Sequence, residues 1–186
     1  MSCTSIIDYE ITQDLSGEDI LSLTKKNPVT YDRLSKYKNI DDLLGQEKFA
    51  IILYLTSSKT EGHWTCVYRQ SYDNKIVFFD SYGFEPDTED QYAAVNSKLP
   101  RYLTNLLQKS GEHYTWNQVD YQVENSKVAN CGRYASCAAM CFRHMNLEQV
   151  NSFLKKNDSA WLSSDRIVTL LTVFTLKQIQ DYFSTS

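Results

Sequence analysis

Asn-Cys-Gly-Arg at positions 130–133 is the stretch that decides the fold, and Gly-His-Trp at 62–64 and Phe-Asp-Ser at 79–81 precede it along the chain. Each of these motifs lies where a strand or helix pattern begins or ends. A thiol, an imidazole and a carboxylate are the side chains that nucleophilic catalysis on an acyl group requires. The chain offers them in the order His63, Asp80, Cys131.

The composition is that of one folded domain. The chain has 186 residues, 42% of them hydrophobic and 13% aromatic, which is enough to bury a core without disulfides or metals. A net charge of −4 supplies no basic field for nucleic acid, so we expect none to bind without an activator. No apolar run approaches the ~20 residues that span a bilayer, so we expect no membrane partner. Five cysteines make an odd number, which favours a reducing, intracellular compartment: the cytoplasm or nucleus of a host, or a virion.

Hydrophobic patterning predicts an α+β domain with a central mixed sheet flanked by helices. We divide it into an N-terminal helical segment (1–45), a core (46–145) and C-terminal helices (146–186). One helix is predicted to start at Ser16. The further predicted helices are Ile40–Leu44, Gln91–Lys109, Cys131–Met145, Leu147–Leu154 and Ser164–Phe183. The predicted strands are Phe49–Leu55, Trp64–Tyr68, Lys75–Phe79 and His113–Gln122.

Cys131 falls where a loop turns into a buried helix. The unsatisfied backbone N–H groups and the dipole at a helix N-terminus favour an anion, and so a thiolate. Gly132 permits close backbone approach and leaves an N–H that can face a developing oxyanion. A buried structural cysteine is the alternative interpretation of this position.

His63 opens one predicted strand and Asp80 ends the next. Because adjacent antiparallel strands place the start of one beside the end of the other, we expect the two side chains to meet. The carboxylate would then hold the imidazole's tautomer and stabilise its charged form. Asp80 has a second interpretation, as the cap of the turn Ser81–Gly83. The complete set of three predicted site residues points to a cysteine protease.

These motifs resemble those of the adenovirus-type (adenain) and Ulp1-like cysteine peptidases, over roughly Leu15 to Met145. Leu53–Leu55, Gly62–Thr65 and Asp80–Gly83 most resemble the compact maturation proteases of large DNA viruses, virophages and Polinton-like elements. The resemblance implies that fold, with Cys131 as nucleophile at a helix N-terminus. It implies a monomer without cofactor or metal that cleaves proteins after small residues such as Gly.

The resemblance also implies an oxyanion-hole glutamine shortly before the nucleophile. Gln122 is our choice, with Asn125 as the fallback and the Gly132 region supplying a backbone donor. Gln118 is too early in the chain. Trp64 and Tyr82 are predicted to line the substrate groove.

Several alternatives remain beside this prediction. Within the peptidases, viral structural proteins compete as substrates with ubiquitin-like conjugates. The same group includes acetyltransferases, but the sequence shows no acyl-CoA site, and an inactive binding module conflicts with the complete triad. Zinc binding by Cys131, Cys137, Cys141 and His144 is disfavoured because no paired C-x₂-C is present. We instead predict Cys137 and Cys141 as small core residues on one helix face.

Overall fold

The computed structural model describes residues 3–55, 62–88, 101–123, 129–155 and 163–173. Among these residues, no helix is long and apolar enough to cross a membrane.

Five strands form one mixed sheet in the order β1-β2-β3-β4-β5. They are β1 (Val29–Thr30), β2 (Phe49–Leu55), β3 (Gly62–Arg69), β4 (Ile76–Phe79) and β5 (Tyr114–Trp116). The three central strands are antiparallel neighbours, whereas β1 pairs parallel with β2 and β5 pairs parallel with β4. The α+β prediction is confirmed at this level, although segment 1–45 supplies an edge strand as well as helices.

Seven α-helices surround the sheet in the described part of the chain: α1 (Cys3–Glu10), α2 (Gly17–Thr24), α3 (Ile40–Leu44), α4 (Tyr102–Lys109), α5 (Cys131–Met140), α6 (Leu147–Lys155) and α7 (Ser164–Val173). Two 3₁₀ helices, Tyr31–Lys36 and Phe142–His144, complete the helical elements there.

Alternate residues of the central strands belong to two buried hydrophobic clusters, one on each face of the sheet. The first cluster contains α2, α5 and α7 side chains packed on Phe49, Ile51, Cys66, Tyr68, Val77 and Phe79. The second joins α3, α4 and the first 3₁₀ helix to Ala50, Ile52, Tyr54, Val67, Ile76 and Phe78. Because β2 is buried on both faces, its sequence is a continuous apolar run and shows no alternation.

Local signals placed several elements correctly. Ser16 caps α2 in a capping box with Asp19, as the sequence predicts. Helix α3 has the predicted bounds and stops at Gly45, which has a φ of 60°. Helices α6 and α7 begin where predicted, and the prediction beyond residue 173 lies outside the described residues.

Three predicted elements differ from the structure. Strand β5 ends at Trp116, well short of Gln122, because the Asn117 side chain takes over the hydrogen bonding beside β4. Helix α4 begins at Tyr102, and positions 91–100 of that prediction lie outside the described residues.

Helix α5 ends at Met140, where the prediction continued to Met145. Cys141 is its C-cap and is exposed, so the prediction of a core cysteine is wrong there and right for Cys137, which is fully buried.

Candidate active site

His63 and Asp80 lie side by side at one end of the sheet. The imidazole Nε2 is 3.2 Å from Asp80 Oδ2, and the residues are 7% and 0% exposed respectively. The antiparallel register that pairs Cys66 with Phe79 brings the start of β3 to the end of β4. The two residues therefore meet as their positions in the sequence predict.

Asp80 uses its two carboxylate oxygens for different partners. While Oδ2 faces His63, Oδ1 accepts a hydrogen bond from the backbone N–H of Tyr82 at 2.6 Å. Both sequence interpretations of Asp80, imidazole partner and turn cap, are therefore true at once. The turn fixes the carboxylate's orientation without occupying the oxygen that faces His63.

Asn117, a residue that sequence reasoning missed, holds the Asp80 backbone. Its Oδ1 accepts from Asp80 N at 2.9 Å, and its Nδ2 donates to Asp80 O at 2.6 Å and to Val119 O at 3.0 Å. The amide imitates a strand neighbour beyond the end of β5. The only signal in the sequence was a polar residue directly after an aromatic strand pattern, which by itself does not name a partner.

Tyr82 and Gln122 extend the same cluster. The Tyr82 ring stacks on the His63 ring with 5.0 Å between centroids and 25° between planes. Buried Gln122 donates from Nε2 to Tyr82 Oη at 3.1 Å and accepts from Ser81 Oγ at 2.9 Å. These bonds fix the amide beside the turn that carries Asp80. An oxyanion role for Gln122 stays a prediction, and the fallback Asn125 lies outside the described residues.

Cys131 is the first residue of α5, at the helix N-terminus that the sequence predicts. It is 9% exposed, whereas Cys66 and Cys137 are fully buried. Burial raises the pKa of the Cys66 and Cys137 thiols, which disfavours their reactive thiolate forms. Cys131 thus combines limited access with a position at the start of a helix.

Gly132 allows the start of α5 to pack tightly against two other segments. A Cβ at this position would lie 3.0 Å from Leu15 Cβ and 3.2 Å from Trp64 Cδ1. Trp64 is in turn anchored by its Nε1, which donates to Leu15 O at 3.1 Å. Leu15, which the sequence analysis did not select, therefore links the start of α5 to the strand that carries His63.

Gly62 is required by close backbone approach between β2 and β3. A Cβ there would lie 2.1 Å from Tyr54 O, a distance no side chain tolerates. Tyr54 is the β2 partner of His63, so this glycine keeps the start of β3 close to its neighbour.

The predicted site residues therefore form two contact groups. His63, Asp80, Tyr82 and Gln122 make up one; Cys131, Gly132 and Trp64 make up the other, at the start of α5, where Leu15 joins them. His63 and Trp64 are consecutive residues of β3, so both groups lie at the same end of the sheet. None of the contacts above joins the Cys131 thiol to the imidazole directly, and catalytic hydrogen bonds are often long before substrate binds.

Arg133, two residues after Cys131, anchors the N-terminal helix to α5. Its fully buried guanidinium donates to Glu10 Oε2 at 2.5 Å, to Glu10 O at 3.1 Å and to Thr172 Oγ1 at 2.9 Å. The neighbouring backbone is held too, because Ala129 N donates to Ile11 O at 3.1 Å. Burial lowers the pKa of Arg133, an effect that the Glu10 carboxylate opposes.

A cleft of about 440 Å³ opens beside Trp64. Its lining includes Leu15, Gly17, Pro28, Leu53 and Trp64. It thus runs along the ends of the strands, next to the residues that pack on Gly132.

Within the described ranges, no three His, Cys, Asp or Glu side chains are grouped to hold a metal ion.

Comparison with known proteins finds a clear relative of unknown function. The uncharacterized protein V9 of Sputnik virophage is 29% identical over 167 residues, which cover 86% of this chain and 94% of V9. No protein-family model matches the chain.

A solved structure gives a weak match. The C-terminal Ulp1 protease domain, solved in complex with Smt3, the yeast ortholog of SUMO, aligns with 92% of this chain and 76% of its own. The identity is 16% and the TM-score 0.29, a likeness too weak to define a shared fold.

Proposed function

We propose that this protein is a cysteine endopeptidase in which Cys131 is the nucleophile, His63 the acid–base group and Asp80 the residue that orients His63. The observation that carries the proposal is the buried contact of 3.2 Å between His63 Nε2 and Asp80 Oδ2, at the strand end beside Trp64. Trp64 contacts the start of α5, where Cys131 lies. A carboxylate, an imidazole and a helix N-terminal thiol are the parts that thiolate catalysis needs.

We assign a role to each nitrogen of the His63 ring. Since Asp80 engages Nε2, proton exchange with the thiol falls to Nδ1. His63 takes the Cys131 proton, the thiolate attacks the scissile carbonyl, and the imidazolium gives the proton to the leaving amine as the C–N bond breaks. Water then adds to the thioester, releasing the carboxylic acid and returning the thiol. Asp80 stabilises the imidazolium in both halves of the reaction.

Backbone N–H groups at the start of α5 are the natural donors to the oxyanion. We propose Gln122 as the side-chain donor beside them. Its amide is already oriented by Ser81 and Tyr82, so little reorganisation accompanies the reaction.

The cleft beside Trp64 is the proposed binding site for the acyl side of the substrate. Leu15 and Trp64 line this cleft and also pack on Gly132, the residue after Cys131. That geometry favours small residues such as Gly before the scissile bond. A relative encoded by a virophage favours maturation of viral capsid or core proteins over cleavage of ubiquitin-like conjugates. We place the activity in a reducing compartment, because the nucleophile must remain a thiol.

Alkylation by limiting iodoacetamide, read by peptide mass spectrometry, tests the catalytic pair. We expect Cys131 to react ahead of Cys66, Cys137 and Cys141, and His63→Ala to abolish that advantage. Cys141 is exposed, but partial burial of its thiol raises its pKa, so it is the internal control for access without activation. Modification of Cys131 at the same rate in wild type and His63→Ala would overturn the proposal.

A proteome-derived peptide library then identifies the cleavage specificity. We expect cuts after small residues with wild type and none with Cys131→Ala, whereas Cys141→Ala should cleave normally. Full-length ubiquitin and SUMO that carry a fluorogenic amide at the C-terminus test the alternative, a deconjugating enzyme. Rapid hydrolysis of those full-length proteins, with slow cleavage of library peptides, would favour a deconjugating enzyme.

A further inference from the structure

Asp165 lies outside the motifs that define the proposed site, yet it contacts both Val123 and Asn130, the latter directly before Cys131. It is the second residue of α7 and is 4% exposed. Its Oδ2 accepts from Val123 N at 3.3 Å, and its Oδ1 accepts from Asn130 Nδ2 at 3.2 Å. Val123 directly follows Gln122, and Asn130 directly precedes Cys131.

We propose that Asp165 is a positioning residue that fixes Cys131 relative to Gln122 by bonding to Val123 and Asn130, the residues next to them. This inference rests on the proposed function for its catalytic meaning. The bridge that the Asp165 carboxylate forms between Val123 and Asn130 follows from the contacts alone.

The bridge has further supports on either side. The Asp165 carbonyl also accepts from Asn130 Nδ2 at 3.4 Å, so the Asn130 amide is held by two oxygens of one residue. The Tyr134 hydroxyl donates to Tyr121 O at 3.0 Å and lies beside the Asp165 carboxyl. The backbone on both sides of the loop is thus tied to α5 and α7, which pack against each other.

Asn130 does not cap α5 in the usual way, which strengthens the assignment. Its side chain makes no capping bond to the helix, although Asn is a favoured cap residue. Instead its amide donates to Asp165, and the residue is fully buried. The N–H groups at the start of α5 are thereby left without a side-chain acceptor from Asn130, as an oxyanion-binding helix terminus requires.

The consequence for catalysis is positional. Misplacing a reacting group by about 1 Å costs on the order of 10²-fold in rate. Loss of the bridge should therefore reduce the reactivity of Cys131 even in a variant that remains folded.

Asp165→Asn tests the inference, because an amide keeps the shape but offers one acceptor oxygen in place of two. Thr169→Val is the matched control. Thr169 is fully buried one turn further along α7, and its Oγ1 donates to the Asp165 carbonyl at 2.7 Å, so this variant loses a buried hydrogen bond but keeps the carboxylate. Both variants are compared with wild type under conditions where urea titration shows them folded.

Two readouts are measured: the iodoacetamide rate of Cys131 relative to Cys141, and hydrogen exchange of the amides at 123 and 129–131. For Asp165→Asn we expect a roughly 10- to 100-fold loss of the Cys131 rate advantage and faster exchange at those amides, with Thr169→Val close to wild type. Equal effects in the two variants, or no effect in Asp165→Asn, would overturn the inference.

Asn130→Ala serves if Asp165→Asn does not fold, since it removes the other partner. Where both fold, the double variant should lose little more than either single variant, because both break one bridge. Additive losses would count against the bridge.

The two proposals fail in different ways. If Cys131 is alkylated equally fast in wild type and His63→Ala, the proposed function fails. Hydrogen exchange alone then decides whether Asp165 holds Val123 and Asn130 together. If alkylation depends on His63 but not on Asp165, only the inference in this section fails.

Discussion

Asp80 contacts His63 through one carboxylate oxygen and the following turn through the other: Oδ2 lies 3.2 Å from His63 Nε2, and Oδ1 accepts from Tyr82 N at 2.6 Å. The Tyr82 ring then stacks on the same imidazole. One turn thus supplies both an in-plane partner and a face-to-face partner for His63, and it restricts the rotation of the ring in two directions.

Asp80→Asn should impair catalysis while preserving the turn. The carbonyl oxygen of the new amide can still accept from Tyr82 N, but its NH₂ group would then face His63 Nε2 and could not accept a hydrogen bond from the Nε2–H of His63. We expect peptide hydrolysis to fall by about 10²- to 10⁴-fold, with slower alkylation of Cys131. Retained rates, in a variant shown by urea titration to be folded, would remove Asp80 from the mechanism.

Substitutions at Tyr82 separate the role of its ring from that of its hydroxyl. Tyr82→Phe keeps the stack on His63 and removes the partner of Gln122 Nε2. We therefore expect normal Cys131 alkylation but slower peptide hydrolysis, since only the latter builds an oxyanion. Tyr82→Leu should impair both reactions. If Tyr82→Phe hydrolyses peptides at the wild-type rate, Gln122 needs no orientation by this hydroxyl.

Gly62→Ala should destabilise the β2–β3 hairpin. The added Cβ would lie 2.1 Å from Tyr54 O, so the strands must separate, and we expect a loss of about 1–3 kcal/mol in the free energy of unfolding. Gly17→Ala is the control, because its Cβ would meet Pro28 Cγ at an ordinary 3.6 Å. Urea titration measures both, and equal stabilities would show that β3 does not need a glycine here.

Glu10→Gln should weaken the anchor of α1, because Arg133 would keep a buried charge without its carboxylate. We expect a loss of about 2–4 kcal/mol in unfolding free energy. Asp8→Asn on the same helix is the matched control. It removes the ion pair with Arg166, in which the Asp8 side chain is 51% exposed, and should cost less than about 1 kcal/mol. Similar losses for the two variants in urea titration would refute a special role for Arg133.

The pH dependence of stability should carry a contribution from Asp165. Desolvation raises the pKa of the Asp165 carboxyl above the ordinary 3.8, and the bonds to Asn130 and Val123 oppose this rise. The charge of Asp120 raises the pKa further. Lys155 and Asp165 line one small surface cavity. The folded protein therefore favours the protonated form of Asp165. The contribution of this protonation to the free energy of unfolding is complete below pH 3.8 and is lost as pH rises through the raised pKa of the folded state.

Urea titrations of wild type and Asp165→Asn from about pH 3 to 7 measure this contribution. The unfolding free energy of wild type minus that of the variant should fall as pH rises. A difference that rises with pH would show that the hydrogen bonds to the carboxylate outweigh its desolvation.

Local sequence signals explain what was predicted well. The cap at Ser16, the stop at Gly45 and the apolar run of β2 each act within a few residues, so propensity and capping set their bounds. His63 and Asp80 are 17 positions apart, but a short antiparallel connection fixes their approach almost as directly.

Longer-range packing explains the misses. Strand β5 ends early because Asn117 bonds to Asp80, 37 positions away, and no pattern around Asn117 shows that partner. Cys141 leaves the core because α5 stops one residue earlier, a boundary that its helix-compatible sequence does not mark.

Although it did not predict the edge strand β1, the sequence by itself determined the three central strands, the meeting of His63 with Asp80 and the position of Cys131 at the start of a helix. These depend on periodicity, caps and a single strand pairing, all of which are local. Only the tertiary structure decided that Leu15 and Asp165 contact the residues at the start of α5 and that Arg133 of α5 pairs with Glu10. Their partners lie far apart along the chain and meet only when α1 and α7 pack around α5, so their roles follow from how the helices pack in three dimensions.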